Sequence, residues 1–143
     1  IHLTNYGKFV HQLSINEFEE INDNQFATIL GFCPNLNNIW ISSPTLTNST
    51  LGHIQRLEKL CHLELYSCPN VRQLPNLMGF KNLNRVIITK CPILQFPDVA
   101  GHTTLKNVEI SCSDQLESYP DFTECAKLRN VSFWKCSNLK GKP

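Results

Sequence analysis

Leu60-Cys61-His62-Leu63-Glu64-Leu65 and Leu83-Asn84-Arg85-Val86-Ile87-Ile88 share one spacing: apolar, two variable, apolar, one variable, apolar. Working outward, the spacing recurs at Val10, Leu13 and Ile15, at Leu36, Ile39 and Ile41, at Leu105, Val108 and Ile110, and at Leu128, Val131 and Phe133. The starts at 10, 36, 60, 83, 105 and 128 lie 26, 24, 23, 22 and 23 residues apart. Six matches in register make residues 1–143 one repeat domain. The last two apolar residues of each unit are two apart, so they point to the same side of a short strand. Stacked units then form a parallel sheet with one apolar side buried and one side open. No unit can bury its apolar residues alone, so each needs its neighbours. At about 1.5–3 kcal/mol per buried large aliphatic side chain, four or five per unit can offset the cost of ordering it.

The composition excludes several classes of function. Thirteen basic residues against twelve acidic ones give a formal net charge of +1, too little to attract nucleic acid or an anionic membrane. A hydrophobic content of 41% with 17% charged residues excludes a disordered tail. No apolar run reaches the roughly 18 residues of a membrane span. The sequence opens on Ile1 rather than Met, so it is expected to be a piece of a longer protein.

Seven cysteines occur, none at CxxC spacing, which argues against a disulfide framework or a structural zinc site. Aligned on the repeats, Cys68, Cys91 and Cys136 fall just past the strand, with Ser113 in that place in the fifth unit and Cys112 one residue earlier. Cys33, Leu57, Phe80, His102 and Cys125 form a second column, three residues before the strand motif. Cys61 stands apart, at the second motif position. The expectation is small, buried packing residues. Unpaired cysteines also point to a reducing, cytoplasmic compartment, with the nucleus as the alternative.

The other half of each repeat varies. Residues 22–32 read as a helix, with an Asx cap, an inner face of Phe26, Ile29 and Leu30, and Gly31 at the C-terminal end. A second helix is expected with Thr47 or Asn48 as cap and Leu51, Ile54 and Leu57 inward. In later repeats Leu74-Pro75, Phe96-Pro97 and Tyr119-Pro120 disfavour helix, so these segments should be extended or a single short turn.

The unit resembles the leucine-rich repeat family, whose period is about 20 to 29 residues. That resemblance implies an α/β solenoid: a curved parallel sheet of about six strands, with helices on the convex side early and extended segments later. The Asx-rich cap, helix, Cys33-Pro34-Asn35-Leu36 and 26-residue step are similar, in particular, to the cysteine-containing repeats of fungal F-box proteins. It implies that the repeats recognise the protein to be ubiquitinated, while an F-box docks the ligase adaptor. No residues here match an F-box, so adaptor binding would belong to a segment outside this chain. From Leu74 on, the style also resembles the repeats of plant nucleotide-binding immune receptors, which implies a sensor region as the alternative.

A partner is expected on the concave face, about 24 Å across for six strands. Its columns are Gln12, Asn38, His62, Arg85, Asn107 and Asn130; Ser14, Trp40, Glu64, Ile87, Glu109 and Ser132; and Asn16, Ser42, Tyr66, Thr89, Ser111 and Trp134. Aromatic anchors among adaptable polar groups suit protein recognition. Trp40, His62, Glu64, Tyr66, Arg85 and Ile87 are the candidate centre, with Glu109 and Trp134 beside them. A competing reading packs Trp40 and Trp134 sideways on strand neighbours.

No catalytic site, cofactor or metal is expected. Cys61 and His62 are consecutive strand residues pointing to opposite faces, which prevents a nucleophile pair. Glu64 and Glu109 lie two strands apart with Ile87 between them, more suited to solvated charges than to a catalytic carboxylate pair. Glu17, Glu19 and Glu20 read as a solvated loop. Lys135, Lys140 and Lys142 are too few for a nucleic-acid patch.

Overall fold

Each repeat lays down one strand, and the six strands lie side by side in chain order, all parallel. They are β1 (Gln12–Ile15), β2 (Asn38–Ile41), β3 (His62–Tyr66), β4 (Arg85–Thr89), β5 (Asn107–Ser111) and β6 (Asn130–Trp134). A computed structural model describes residues 3–16 and 20–141; Glu17, Glu19 and Lys142 lie outside them. A short helix, α1 (Leu3–Tyr6), and a 3-10 turn over Gly7–Phe9 precede β1.

The apolar motif positions form the core. Ile39, Ile41, Leu63, Leu65, Val86, Ile88, Val108 and Ile110 are all buried along the inner side of the sheet. The outermost units are less covered: Leu13 and Phe133 are half-buried and Val131 is 41% exposed. Cys33, Leu57, Phe80, His102 and Cys125 are buried as a column, as expected.

Helices occupy only the early convex side. In α2 (Asp23–Phe32), the Asn22 side chain accepts from the Gln25 N–H and Gln25 reciprocates, both at 3.0 Å, a complete capping box. Phe26 and Leu30 are buried, but Ile29 is only half-buried. Gly31 lies inside the helix, which ends instead at Cys33 with φ −119° and ψ 63°, so no left-handed glycine cap was needed. The second convex helix, α3 (Asn48–Ile54), is capped by Thr47. Asn48 begins the helix, and its Oδ1 accepts from the Arg72 and Gln73 N–H groups of the next repeat. Later convex segments are extended apart from a 3-10 turn at Leu77–Gly79, as the prolines dictated.

Neighbouring coils are sewn together by side-chain amides. Asn35, Asn70 and Asn82 each donate Nδ2 to a carbonyl of the preceding coil, those of Lys8, Pro44 and Glu58 respectively. Past the strand ends, Ser67, Lys90, Cys112 and Lys135 all adopt the left-handed conformation, with φ between 49° and 54°. The chain turns sharply there, and the amides of Ser67, Lys90 and Cys112 each donate to the last strand residue of the next rung.

Four serine and cysteine placements change. Ser42 was set in the open concave column but is buried, because β2 ends at Ile41 and the chain turns inward one residue early. Cys61 and Cys112 are half-exposed rather than core residues, Cys112 because its left-handed turn directs it away from the interior. Cys136 is half-buried, since no further rung covers it among the described residues.

Candidate protein-binding face

The parallel register fixes the centre of the open face. Trp40, Glu64, Ile87 and Glu109 stand directly opposite one another on β2 to β5, so two large apolar groups alternate with two carboxylates along one row. All four are half-exposed. The neighbouring row places Asn38, His62, Arg85 and Asn107 in register. Period-two side-chain alternation, set by the buried partners Ile39, Leu63, Val86 and Val108, turns both rows outward.

Side-chain contacts between titratable groups link the two rows. His62 Nε2 lies 3.5 Å from Glu64 Oε2 within β3. Arg85 Nη2 donates to Glu109 Oε1 at 3.1 Å across β4 and β5. Burial pulls the His62 imidazole below its ordinary pKa, the adjacent Arg85 cation acts in the same direction, and Glu64 opposes both. His62 is accordingly neutral at pH 7. Glu64 and Glu109 are separated by Ile87, as the sequence suggested, and each has its own cationic or imidazole neighbour. His62 Nε2 and Arg85 Nε are buried and have no hydrogen-bond partner among the described residues.

The third column forms the rim. Lys90 Nζ donates to the Tyr66 hydroxyl at 3.0 Å and sits 5.2 Å from the centre of its ring. Lys135 Nζ lies 4.2 Å over the Trp134 ring. Trp134 is 58% exposed. Between them Thr89 and Ser111 pair their hydroxyls at 3.0 Å. The eight candidate residues therefore share one face, although Trp134 sits at its far edge, three strands from Tyr66. The two lysines were missed from the sequence. Each directly follows the third-column residue of its own strand, and that repeated position was the available signal.

Among the described residues, no group of three or more His, Cys, Asp or Glu is placed to hold a metal ion. No helix among them is long and apolar enough to cross a membrane.

No family model matches the chain, and no curated protein matches it. A solved structure does: the leucine-rich repeat domain of the type III effector XopL, with a TM-score of 0.69 and 18% sequence identity. The match covers 97% of this chain and 49% of that one, so the chain spans about half the length of its structural neighbour. Six parallel rungs in sequence order, a repeat of 22 to 26 residues and this similarity together make the fold an α/β leucine-rich-repeat solenoid.

Proposed function

We propose that the solenoid is a recognition module, without catalysis of its own, whose concave face binds a protein partner. Trp40, His62, Glu64, Tyr66, Arg85 and Ile87 form the centre, and Glu109 and Trp134 extend it toward β6. The row of Trp40, Glu64, Ile87 and Glu109 carries the reading. The core lies on the other side of the sheet, so the half-exposed Trp40 and Ile87 are available to a partner, and the flanking carboxylates supply orientation. Trp40→Ala and Ile87→Ala test it, using partner capture from source-cell extract with quantitative mass spectrometry. A protein enriched by the natural chain should be lost by both variants, each weakening Kd by about tenfold or more, a loss of roughly 1.4 kcal/mol. Unfolding midpoints should barely move. A large stability loss would assign both residues to packing, and unchanged capture would place the partner elsewhere.

The specific form of this reading is substrate recognition within an F-box ubiquitin ligase. Its support is the resemblance carried by the first two repeats, with the capped α2, the Cys33-Pro34-Asn35-Leu36 turn and the 26-residue step. The complete protein should then co-purify with the ligase adaptor. Failure to associate removes the ligase assignment and leaves the binding face standing. The helix-free, proline-bearing convex segments after Leu74 favour the sensor region of a nucleotide-binding immune receptor as the second reading. A phosphate-binding loop in the complete sequence would decide for it.

A further inference from the structure

Seven free cysteines are distributed over the repeats, but only Cys68 and Cys91 hold the same place in consecutive ones. The counterpart of Cys33 in the next repeat is Leu57, the counterpart of Cys125 in the preceding one is His102, and Ser113 separates Cys91 from Cys136. Cys68 and Cys91 each follow a left-handed residue, Ser67 at φ 49° and Lys90 at φ 54°. Both lie two residues beyond the paired strand ends Tyr66 and Thr89. The backbone makes the same turn twice and sends both side chains inward, where they are 0% and 1% exposed. Adjacent rungs are about 4.8 Å apart, inside the roughly 4.4–6.8 Å Cα separation that disulfides span.

Cys68 Sγ donates to the Ile41 and Tyr66 carbonyls at 3.6 and 3.5 Å, and Cys91 Sγ to the Thr89 carbonyl at 3.3 Å. The neighbouring Cys91 thiol holds Cys68 below its ordinary value, with burial working against it. The neighbouring Cys68, and then burial, push Cys91 far up. Cys68 is thus the sulfur that ionises first and Cys91 the one that keeps its proton.

We propose that Cys68 and Cys91 are a dithiol oxidation site that a peroxide converts to a disulfide joining the third and fourth repeats. The Cys68 thiolate attacks one peroxide oxygen and the O–O bond breaks. The departing oxygen leaves as water with the proton Cys68 released and the one it already carried, and Cys68 becomes a sulfenic acid. The Cys91 sulfur then attacks the Cys68 sulfur, the S–O bond breaks, and a second water carries off the Cys91 proton. Two thiols and one hydrogen peroxide give one disulfide and two waters. The link would lie behind the two rungs that bear His62, Glu64 and Tyr66 and Arg85, Ile87 and Thr89, fixing their spacing.

The test treats the folded chain with hydrogen peroxide well below its unfolding temperature and maps peptides without reduction. A Cys68–Cys91 linked peptide is expected, with two thiols lost per chain and both restored by dithiothreitol. Cys33 and Cys125, buried with no thiol neighbour in their columns, should stay reduced. C68S and C91S should each abolish the linked peptide while folding normally. Ser113 already fills this place in the fifth repeat, fully buried and donating to the Ser111 carbonyl at 3.3 Å. Oxidation of Cys61 and Cys112 with Cys68 and Cys91 left free would overturn the proposal, as would a link formed only in the denatured chain.

Discussion

The carboxylate of Asp23, in the first turn of one convex helix, accepts hydrogen bonds from both the amide and the hydroxyl of Thr47, the cap of the next, at 3.0 and 2.5 Å. Thr50 donates its hydroxyl to the same carboxylate. One side chain thereby holds two helix starts together. Burial acts to raise its pKa, but the bonds from Thr47 and Thr50 outweigh burial and hold it below its ordinary 3.8. A depressed folded value means that stability is present above the ordinary value and lost as pH falls through the folded one. Asp23→Ala should lower stability by about 1–3 kcal/mol at pH 7, and the difference from the natural chain should shrink below about pH 4. Urea unfolding at pH 7 and pH 3 checks it; an equal difference at both would remove the carboxylate from the account.

His102 should make the fold acid-sensitive. Its Nε2 donates to the Leu77 carbonyl at 3.1 Å, while Nδ1 accepts from the Thr104 and Leu105 N–H groups at 3.3 and 3.2 Å. Two donors converging on Nδ1 leave no room for a second proton. Burial, above all, takes the imidazole below its ordinary 6.5, and Lys81 adds to it. The folded form therefore binds fewer protons than the unfolded one, so stability rises with pH and is complete above about 6.5. Urea midpoints should fall between pH 7.5 and 5.5, with the similarly depressed His62 contributing. Titration of the His102 ring by NMR isolates its share; a midpoint at or above 6.5 would contradict the geometry.

Two glycines should respond in opposite ways to alanine. A Cβ on Gly7 would meet the Phe32 carbonyl oxygen at 1.9 Å and its carbon at 2.7 Å. Backbone would have to move, at a cost of about 1–3 kcal/mol. At Gly52, within α3, a Cβ would find nothing within 4 Å. Gly52→Ala should stabilise by up to about 1 kcal/mol through helix propensity. Thermal unfolding of the pair settles it, and a neutral Gly7→Ala would mean that the Gly7–Phe9 turn does not approach the Phe32 backbone this closely.

Ser67→Gly should also stabilise. Ser67 holds φ at 49°, a region costly for a side chain and free for glycine. Its N–H bond to the Thr89 carbonyl, 2.9 Å, survives the change. A gain of about 0.5–1 kcal/mol in chemical denaturation is expected; a loss would show that the hydroxyl matters more than the backbone strain.

Strand placement was legible because each rung obeys one local rule. Leu63 and Leu65 must face in, so His62, Glu64 and Tyr66 must face out, and no distant contact can alter that. The helix caps were legible for the same reason, Asn22 and Gln25 being three residues apart. What escaped depends on where a strand stops. Ser42 entered the core because β2 ends after four residues, where β3 to β6 run for five. The left-handed column of Ser67, Lys90, Cys112 and Lys135 has no glycine to mark it, so the turn that exposes Cys112 carried no compositional signal. Of the candidate site, the rows were readable. The pairing of Arg85 with Glu109 rather than Glu64 depends on rotamers, which periodicity does not encode.

Strand adjacency that follows chain order makes this molecule behave like a zipper. Each tooth is held by the one before and the one after, and among the described residues no strand pairs with any but its neighbours. Damage at the middle, such as a proline substituted for Ile88, would not weaken the whole evenly but would cut it into two stretches. Each stretch would melt at its own temperature, and the single cooperative transition of the intact array would give way to two.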